Sequence, residues 1–88
     1  MSEIVIYTKD WCGYCHAAKS LLKQLNLPYK EIDVTRDQVK YGEMLKISSG
    51  RTSVPQIFID GVGIGGYTDL SRLVREDKLP LKTAKETD

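Results

Sequence analysis

The feature that most constrains the fold is a change of hydrophobic pattern within the first 34 residues. Residues 3–8 are β-branched and aromatic, which is typical of a buried strand. Residues 13–25 instead carry apolar side chains at helical spacing, and Pro28 disfavours helix at the residue before it. Residues 29–34 alternate again, with Ile32 and Val34 on one face. This β-α-β order predicts two parallel strands joined by a helix.

The second half of the chain predicts two more helices and a hairpin. Thr35 and Gln38 have capping-box spacing and predict a helix over residues 35–48, with an apolar face formed by Val39, Met44, Leu45 and Ile47. Residues 50–53 are expected to form a loop. Residues 56–59 and 62–64 predict strands joined by the turn Asp60-Gly61. After Gly65-Gly66, either Tyr67 or Thr68 is expected to cap a last helix that carries Leu70, Leu73 and Val74.

These elements predict an α/β thioredoxin fold, a four-stranded mixed sheet flanked by three helices. At 88 residues the chain has room for one domain, which we place at residues 1–80, followed by a polar C-terminal tail at 81–88. Tyr7, Met44 and Phe58 are expected in the core rather than at a cofactor.

Net charge and hydropathy limit the classes of partner that the protein is expected to bind. The net charge is +1, which provides no field to attract nucleic acid or an anionic membrane. No apolar stretch approaches the roughly 20 residues of a membrane span, and residues 1–3 lack the basic start of a secretory signal. We therefore expect a cytoplasmic protein with no nucleic-acid and no membrane partner, although a transit peptide already removed would leave no trace.

The candidate reactive residues are Cys12 and Cys15, which lie at the junction of the first predicted strand and the first predicted helix. Two cysteines in a reducing compartment are expected to react rather than to staple the fold. At the helix N-terminus, the thiol pKa of Cys12 is expected to fall from about 8.5 into the range of about 3.5–7.5, with Lys9 adding to the effect. Cys12 is then the active thiol, and the more buried Cys15 is the resolving one.

Three other interpretations use the same cysteines. They can be incidental core residues, although both open a helix in a β-α-β pattern. A structural zinc site wants four ligands, and the two cysteines with the lone His16 supply three. Cys12-Gly13-Tyr14-Cys15-His16 also satisfies the c-type haem attachment pattern, which a Soret band would reveal.

Four blocks of sequence together resemble the glutaredoxin family over about residues 3–76. Thr8-Lys9 precedes Cys12-Gly13-Tyr14-Cys15, which is similar to the family's Cys-Pro-Tyr-Cys. Residues 52–59 resemble its Thr-Val-Pro segment, and residues 65–70 its Gly-Gly-x-x-Asp-Leu turn. The resemblance implies a glutathione-dependent thiol–disulfide oxidoreductase that acts on disulfide-containing or glutathionylated proteins through Cys12 and Cys15.

The resemblance also implies a glutathione site. Lys9 and Gln56 would hold the glycine carboxylate, and Val54 would pair main chain to main chain with the glutathione cysteine beside a cis Pro55. Thr68 and Asp69 would receive the γ-glutamyl group at the start of the last helix. The full implied set is Lys9, Tyr14, Val54, Pro55, Gln56, Gly66, Thr68 and Asp69.

The chain departs from the family pattern at Gly13, Ser53 and Tyr67-Thr68, and Trp11-Cys12-Gly13 also echoes thioredoxin. Two alternatives to the glutathione-fed enzyme follow. Some glutaredoxins with a small residue at the position of Gly13 hold a [2Fe–2S] cluster between two subunits, with the first cysteine as ligand. A thioredoxin-like reductant fed by a protein reductase is the other. We expect a monomer that dimerises only if a cluster is bound.

Overall fold

The computed structural model describes residues 2–81 and contains seven regular elements. Their order is the one that the sequence predicts, and the fold is the thioredoxin fold. The strands and helices, in chain order, are β1 (Ile4–Thr8), α1 (Gly13–Gln24), β2 (Lys30–Asp33), α2 (Gln38–Ile47), β3 (Gln56–Ile59), β4 (Val62–Gly65) and α3 (Tyr67–Arg75). The predicted tail lies outside the described residues apart from Leu81, which packs against the core.

The strands form one mixed sheet in the order β2-β1-β3-β4. Strands β1 and β2 are parallel, whereas β1 pairs with β3 and β3 with β4 in antiparallel fashion. Because β1 and β3 run in opposite directions, the end of β1 meets the start of β3, with Tyr7 opposite Gln56. This pairing brings the loop after β1 and the loop before β3, which form the site, to the same end of the sheet.

The alternation of side chains along the strands divides the core into two layers. Ile4 and Ile6 of β1 and Ile57 and Ile59 of β3 face helices α1 and α3, where they join Ala18, Leu22 and Leu70. On the other face, Tyr7 and Phe58 pack with Val34 and Met44. Tyr7, Phe58 and Met44 are all buried, as predicted, and the two aromatic rings meet edge to face at 5.8 Å.

The hairpin between β3 and β4 has the turn that its sequence predicts. Asp60 and Gly61 both have positive φ, +51° and +82°, which is the backbone of a type I′ turn. Asp60 also accepts a hydrogen bond from the backbone N–H of Glu3 at 2.8 Å, which ties the turn to the start of β1. Of the described helices, none is long and apolar enough to cross a membrane.

The helix ends differ from the predicted ones. Helix α1 stops before Leu25, which is 38% exposed, because Asn26 takes a left-handed conformation at φ +57° ahead of Pro28. Helix α2 is capped by Asp37, whose carboxylate accepts from the Lys40 N–H at 3.0 Å. The predicted Thr35 cap was wrong because the Thr35 hydroxyl accepts instead from the Asp10 N–H at 2.7 Å.

Two further predictions about helices need correction. The predicted apolar face of α2 holds only in its centre, since Val39 is 71% and Ile47 is 51% exposed while Met44 is buried. Helix α3 is capped by Gly66 rather than by Tyr67 or Thr68. The cap forms there because the Asp69 carboxylate accepts the Gly66 N–H at 3.0 Å.

Candidate functional site

Cys12 is the N-cap residue of helix α1 and presents its sulfur to the backbone of the first turn. Its Sγ accepts a hydrogen bond from the Cys15 N–H at 3.1 Å, and its carbonyl oxygen accepts from the His16 N–H at 3.2 Å. The preceding Trp11 has a left-handed backbone at φ +59° and a fully exposed side chain. The sulfur of Cys12 therefore sits where a helix terminus stabilises negative charge.

The two cysteines are joined in a disulfide, with their Cα atoms 5.2 Å apart. They differ sharply in access, because Cys15 is only 2% exposed while Cys12 is half-buried. Only the sulfur of Cys12 is therefore open to an attacking thiol. Disulfide exchange at this site can start at Cys12 alone.

The segment before β3 contacts Cys12 at the end of the sheet where β1 finishes and β3 begins. The Val54 carbonyl oxygen lies 3.7 Å from Cys12 Sγ, and the Val54–Pro55 peptide bond is cis. The family resemblance implies the cis form, which the sequence alone does not show. The contact joins residues that are 42 positions apart in the chain.

A groove of about 260 Å³ starts beside this contact and runs along the N-terminal end of α3. Seven of the eight residues predicted for glutathione line it, and Lys9 does not. Three residues that the sequence analysis did not assign to the site, Arg51, Ser53 and Tyr67, also line it. The predicted residues in its walls are Tyr14, Val54, Pro55, Gln56, Gly66, Thr68 and Asp69.

One wall of the groove is a pair of stacked tyrosines. The rings of Tyr14 and Tyr67 lie 6.0 Å apart with an interplanar angle of 24°. Tyr14 belongs to the first turn of α1 and Tyr67 to the first turn of α3, so the stack joins the two helix starts. Tyr67 could have been found from the sequence only by its place beside the Gly65-Gly66 break.

The polar groups of the groove are partly engaged within the protein. Gln56 is 3% exposed, and its Nε2 donates to the Ser53 carbonyl oxygen at 2.9 Å and to the Ser53 hydroxyl at 3.2 Å. Asp69 accepts from Gly66 and also lies 3.7 Å from the guanidinium of Arg72. Among the described residues that line the groove, Arg51 is the only cation.

Lys9 lies on the other side of the cysteine pair. Its ammonium group sits over the Tyr41 ring, 4.5 Å from the ring centroid, which is the geometry of a cation–π contact. It lines a second cleft, which we call the rear cleft. The residues that line the rear cleft are Lys9, Asp10, Trp11, Cys15, His16, Lys19, Glu31, Asp33 and Arg36.

A hydrogen-bonded ion pair crosses the rear cleft from α1 to β2. Lys19 Nζ donates to Glu31 Oε2 at 2.9 Å, and the buried Thr8 hydroxyl donates to the same oxygen at 2.7 Å. Burial works to raise the pKa of Glu31, but the hydrogen bonds from Thr8 and Lys19 outweigh it and hold that pKa below its ordinary value. Glu31 is therefore an anion at neutral pH and keeps Lys19 in place.

The pKa of Asp33 is also lowered, mainly because the side chain and the backbone N–H of Thr35 donate to its carboxylate. The backbone N–H of Thr35 lies 2.8 Å from Asp33 Oδ1. Next to it, Asp10 forms an ion pair with Arg36 at 2.9 Å. These contacts tie the loop that precedes Cys12 to the loop that follows β2.

A disulfide across the first turn of a helix, with one half-buried and one fully buried cysteine beside a cis proline, defines a thiol–disulfide oxidoreductase of the thioredoxin fold. Comparison with known proteins narrows the class. Residues 4–64 match the family model described as Glutaredoxin. The chain belongs to the glutaredoxin family.

The chain is similar to individual glutaredoxins over most of their length. The chain is 48% identical over 73 residues to Glutaredoxin 3 of Escherichia coli strain K12, covering 83% of this chain and 87% of that protein. It is 44% identical over 80 residues to Glutaredoxin 1 of Rickettsia prowazekii, covering 90% and 84%. Among solved structures, the buckwheat glutaredoxin–glutathione complex superposes with a TM-score of 0.78 at 31% identity, covering 89% of this chain and 73% of that one.

Proposed function

We propose that glutathione is the electron donor of this oxidoreductase and that its substrates are protein disulfides and glutathionylated proteins. The observation that carries the proposal is the groove that runs from Val54, whose carbonyl oxygen lies 3.7 Å from Cys12 Sγ, to the N-terminus of α3. A tripeptide thiol with two carboxylates needs a reactive sulfur at one end of such a groove and cationic or N–H groups along it. The buckwheat relative in complex with glutathione supports the same proposal.

Each part of glutathione has a partner in the groove. The main chain of Val54 pairs with the glutathione cysteine, next to Pro55, as in strand addition. The backbone N–H groups of Thr68 and Asp69 bind the γ-glutamyl carboxylate at the start of α3, and the Asp69 carboxylate faces the γ-glutamyl amine. Gly66 leaves room for this approach, and Tyr14 covers the sulfurs.

The glycine carboxylate has three candidate partners. Arg51 lines the groove and offers a guanidinium, so we assign it as the main partner. Gln56 contributes if its amide exchanges a bond to Ser53 for one to the ligand. Lys9 reaches the carboxylate by leaving the Tyr41 ring.

The two cysteines divide the reaction between them. The Cys12 thiolate attacks a disulfide or a glutathionylated cysteine and forms a mixed disulfide. Cys15 or a second glutathione then resolves it. A drop in the Cys12 pKa from about 8.5 to about 5 raises the thiolate fraction at pH 7 roughly thirtyfold, but lower nucleophilicity costs roughly fortyfold. The main gain is therefore that Cys12 leaves readily in the second step.

Single replacements of the cysteines separate the two routes. We expect Cys12→Ser to abolish all activity, because no other thiol is exposed at the groove. Cys15→Ser should keep the removal of glutathione from a glutathionylated protein and lose the reduction of an intramolecular protein disulfide. Both activities are measured in a coupled assay with NADPH, glutathione and glutathione reductase. A Cys12→Ser protein with full activity would overturn the assignment.

The same assay tests the thioredoxin-like alternative. Activity that needs glutathione supports our proposal, whereas turnover with thioredoxin reductase and NADPH in the absence of glutathione supports a reductase-fed protein.

We also propose that the enzyme acts in the cytoplasm as a monomer. Sedimentation of the reduced protein tests the second part of that statement.

Binding of a [2Fe–2S] cluster is the second candidate function, and Gly13 is the observation that favours it. Gly13 is exposed and has open space where a Cβ would lie, so nothing in the fold crowds the sulfur of Cys12 at that point. Residues 2–81 contain no group of three or more His, Cys, Asp or Glu placed to hold a metal ion. A cluster would therefore take Cys12 from each of two subunits with glutathione as the remaining ligands. Anaerobic reconstitution tests this, since a brown dimer supports it and a colourless monomer refutes it.

A further inference from the structure

The rear cleft brings the resolving cysteine together with charged side chains. Cys15 is 2% exposed, yet it lines the rear cleft together with Lys19 and Glu31. Lys19 follows Cys15 by four residues on α1, so the two side chains lie on the same face of the helix, one turn apart.

Lys19 is unusually fixed for a lysine. Its side chain is 21% exposed, and its ammonium group is bound to Glu31 at 2.9 Å. Glu31 is in turn held by Thr8, which is 1% exposed at the end of β1. A positive charge is thus anchored in the cleft that Cys15 lines, on the same face of α1 and partly buried, where electrostatic effects are screened less than at the surface.

The other charged groups of the rear cleft are engaged elsewhere. The ammonium group of Lys9 sits over Tyr41, and Arg36 pairs with Asp10 at 2.9 Å with its side chain 82% exposed. Asp33 accepts a hydrogen bond from the N–H of Thr35. His16, which follows Cys15 on α1, is exposed. Lys19 is therefore the cation of the rear cleft that is both partly buried and on the helix face of Cys15.

We propose that Lys19, anchored by Glu31 and Thr8, is a positioning residue for the dithiol half of the reaction, where it stabilises negative charge on the sulfur of Cys15. The proposal rests on the proposed use of glutathione and adds a residue to it. It concerns only the steps in which Cys15 is the leaving group or the attacking thiolate.

Reduction of the Cys12–Cys15 disulfide is the step in which this charge develops. The glutathione thiolate, its proton lost to water, bonds to Cys12 Sγ as the bond between Cys12 and Cys15 breaks. The electron pair of the broken bond leaves on Cys15 Sγ, which then takes a proton from water. In the reverse direction the Cys15 thiolate attacks Cys12 Sγ and releases glutathione. Lys19 lowers the barrier to reduction of the disulfide because negative charge develops on Cys15 Sγ in the transition state. In the reverse direction it favours the thiolate form of Cys15, which is the form that attacks.

The test compares Lys19→Met, which keeps an apolar stem without the charge, with Lys19→Arg, which keeps the charge. Oxidised protein is mixed rapidly with glutathione, quenched with acid, and the loss of the Cys12–Cys15 disulfide is followed by mass spectrometry. We expect Lys19→Met to slow this step by about three- to tenfold, the size expected for one partly screened charge, and Lys19→Arg to restore most of it. The difference should shrink as salt is added.

Two controls give the result its meaning. Lys23→Met removes an exposed charge one turn further along α1 and should leave the rate unchanged. In a Cys15→Ser background, where only Cys12 and glutathione react, Lys19→Met should have no effect on deglutathionylation. Equal rates for Lys19→Met and the parent protein overturn the proposal, and so does an equal loss in the Cys15→Ser background. If the Cys15→Ser protein itself fails to use glutathione, the proposed function falls instead.

Discussion

At Cys12, the side chain that caps a helix is also the sulfur that reacts. Ser, Thr, Asp and Asn usually fill this position because an oxygen accepts an N–H of the first turn. Here Sγ accepts the N–H of Cys15 at 3.1 Å, so the backbone already presents a donor to the atom on which charge will appear. Cys15 lies within the helix at 2% exposure and has no such role. The asymmetry between the two cysteines follows from their positions on α1.

Gly13 stands where the family pattern Cys-Pro-Tyr-Cys has proline, and it yields a test of stability. It is the first residue of α1, where proline is favoured because its fixed φ suits a helix start. A Cβ there would meet nothing within 4 Å, and Cys12 is extended at φ −112°, as a residue before proline must be. We expect Gly13→Pro to stabilise the protein by about 0.4–1 kcal/mol through the unfolded state.

Urea unfolding of the oxidised protein measures this effect, so that the disulfide is the same in both chains. Loss of stability in Gly13→Pro would show that the first turn of α1 is strained in a way that the contacts around it do not reveal.

Among the elements, α3 connects the fold to the groove most directly. Its first turn lines the groove, and its cap is the bond from the Gly66 N–H to the Asp69 carboxylate. The strand before it ends at Gly65, which is buried and has φ +103°. A Cβ at Gly65 would collide with the carboxylate of Asp69. The conformation of Gly65 therefore sets both the start of α3 and the position of a predicted glutathione ligand.

The Gly65→Ala variant tests this link. We expect it to lose about 1–3 kcal/mol of unfolding free energy, since both the positive φ and the contact with Asp69 oppose a side chain. Its KM for glutathione should rise as Asp69 is displaced. Gly42→Ala is the matched control, because Gly42 is exposed within α2 with open space around it. That change should stabilise the protein by up to about 1 kcal/mol and leave KM alone.

A Gly65→Ala protein that is as stable as the parent and binds glutathione equally well would contradict this account of the turn. If stability fell while KM stayed constant, Asp69 would be a structural cap and no glutathione ligand.

For the molecule as a whole, local patterns in the sequence predicted the order of the elements because most of them are decided within a few residues. The helix of α1 follows from its apolar spacing, and the hairpin follows from Asp60-Gly61. The helix caps were harder to predict, since Thr35 and Asp37 are both residue types that commonly cap helices. The choice was made by a distant partner, the N–H of Asp10, which occupies the Thr35 hydroxyl.

The candidate site shows the same division between local and distant information. The cysteine pair and its place at a helix start are local features, and the resemblance to a family supplied most of the groove. No spacing in the sequence indicates that Arg51 lines the groove or that Glu31 reaches Lys19. The parallel pairing of β1 with β2 places Glu31 opposite Ile6, two residues before Thr8, so that the Thr8 hydroxyl reaches its carboxylate, and such contacts depend on strand order rather than on sequence distance.

The central claim is that the start of α1 holds the sulfur of Cys12 as an anion near neutrality, and its thiol pKa tests that claim most directly. The absorbance of the thiolate is followed against pH in reduced Cys15→Ser protein, where Cys12 is the one remaining cysteine. We predict a pKa well below the value of about 8.5 of a free cysteine, within the range of about 3.5–7.5. A Cys12 thiol that is still protonated at pH 7, with a pKa near that of a free cysteine, would contradict the account.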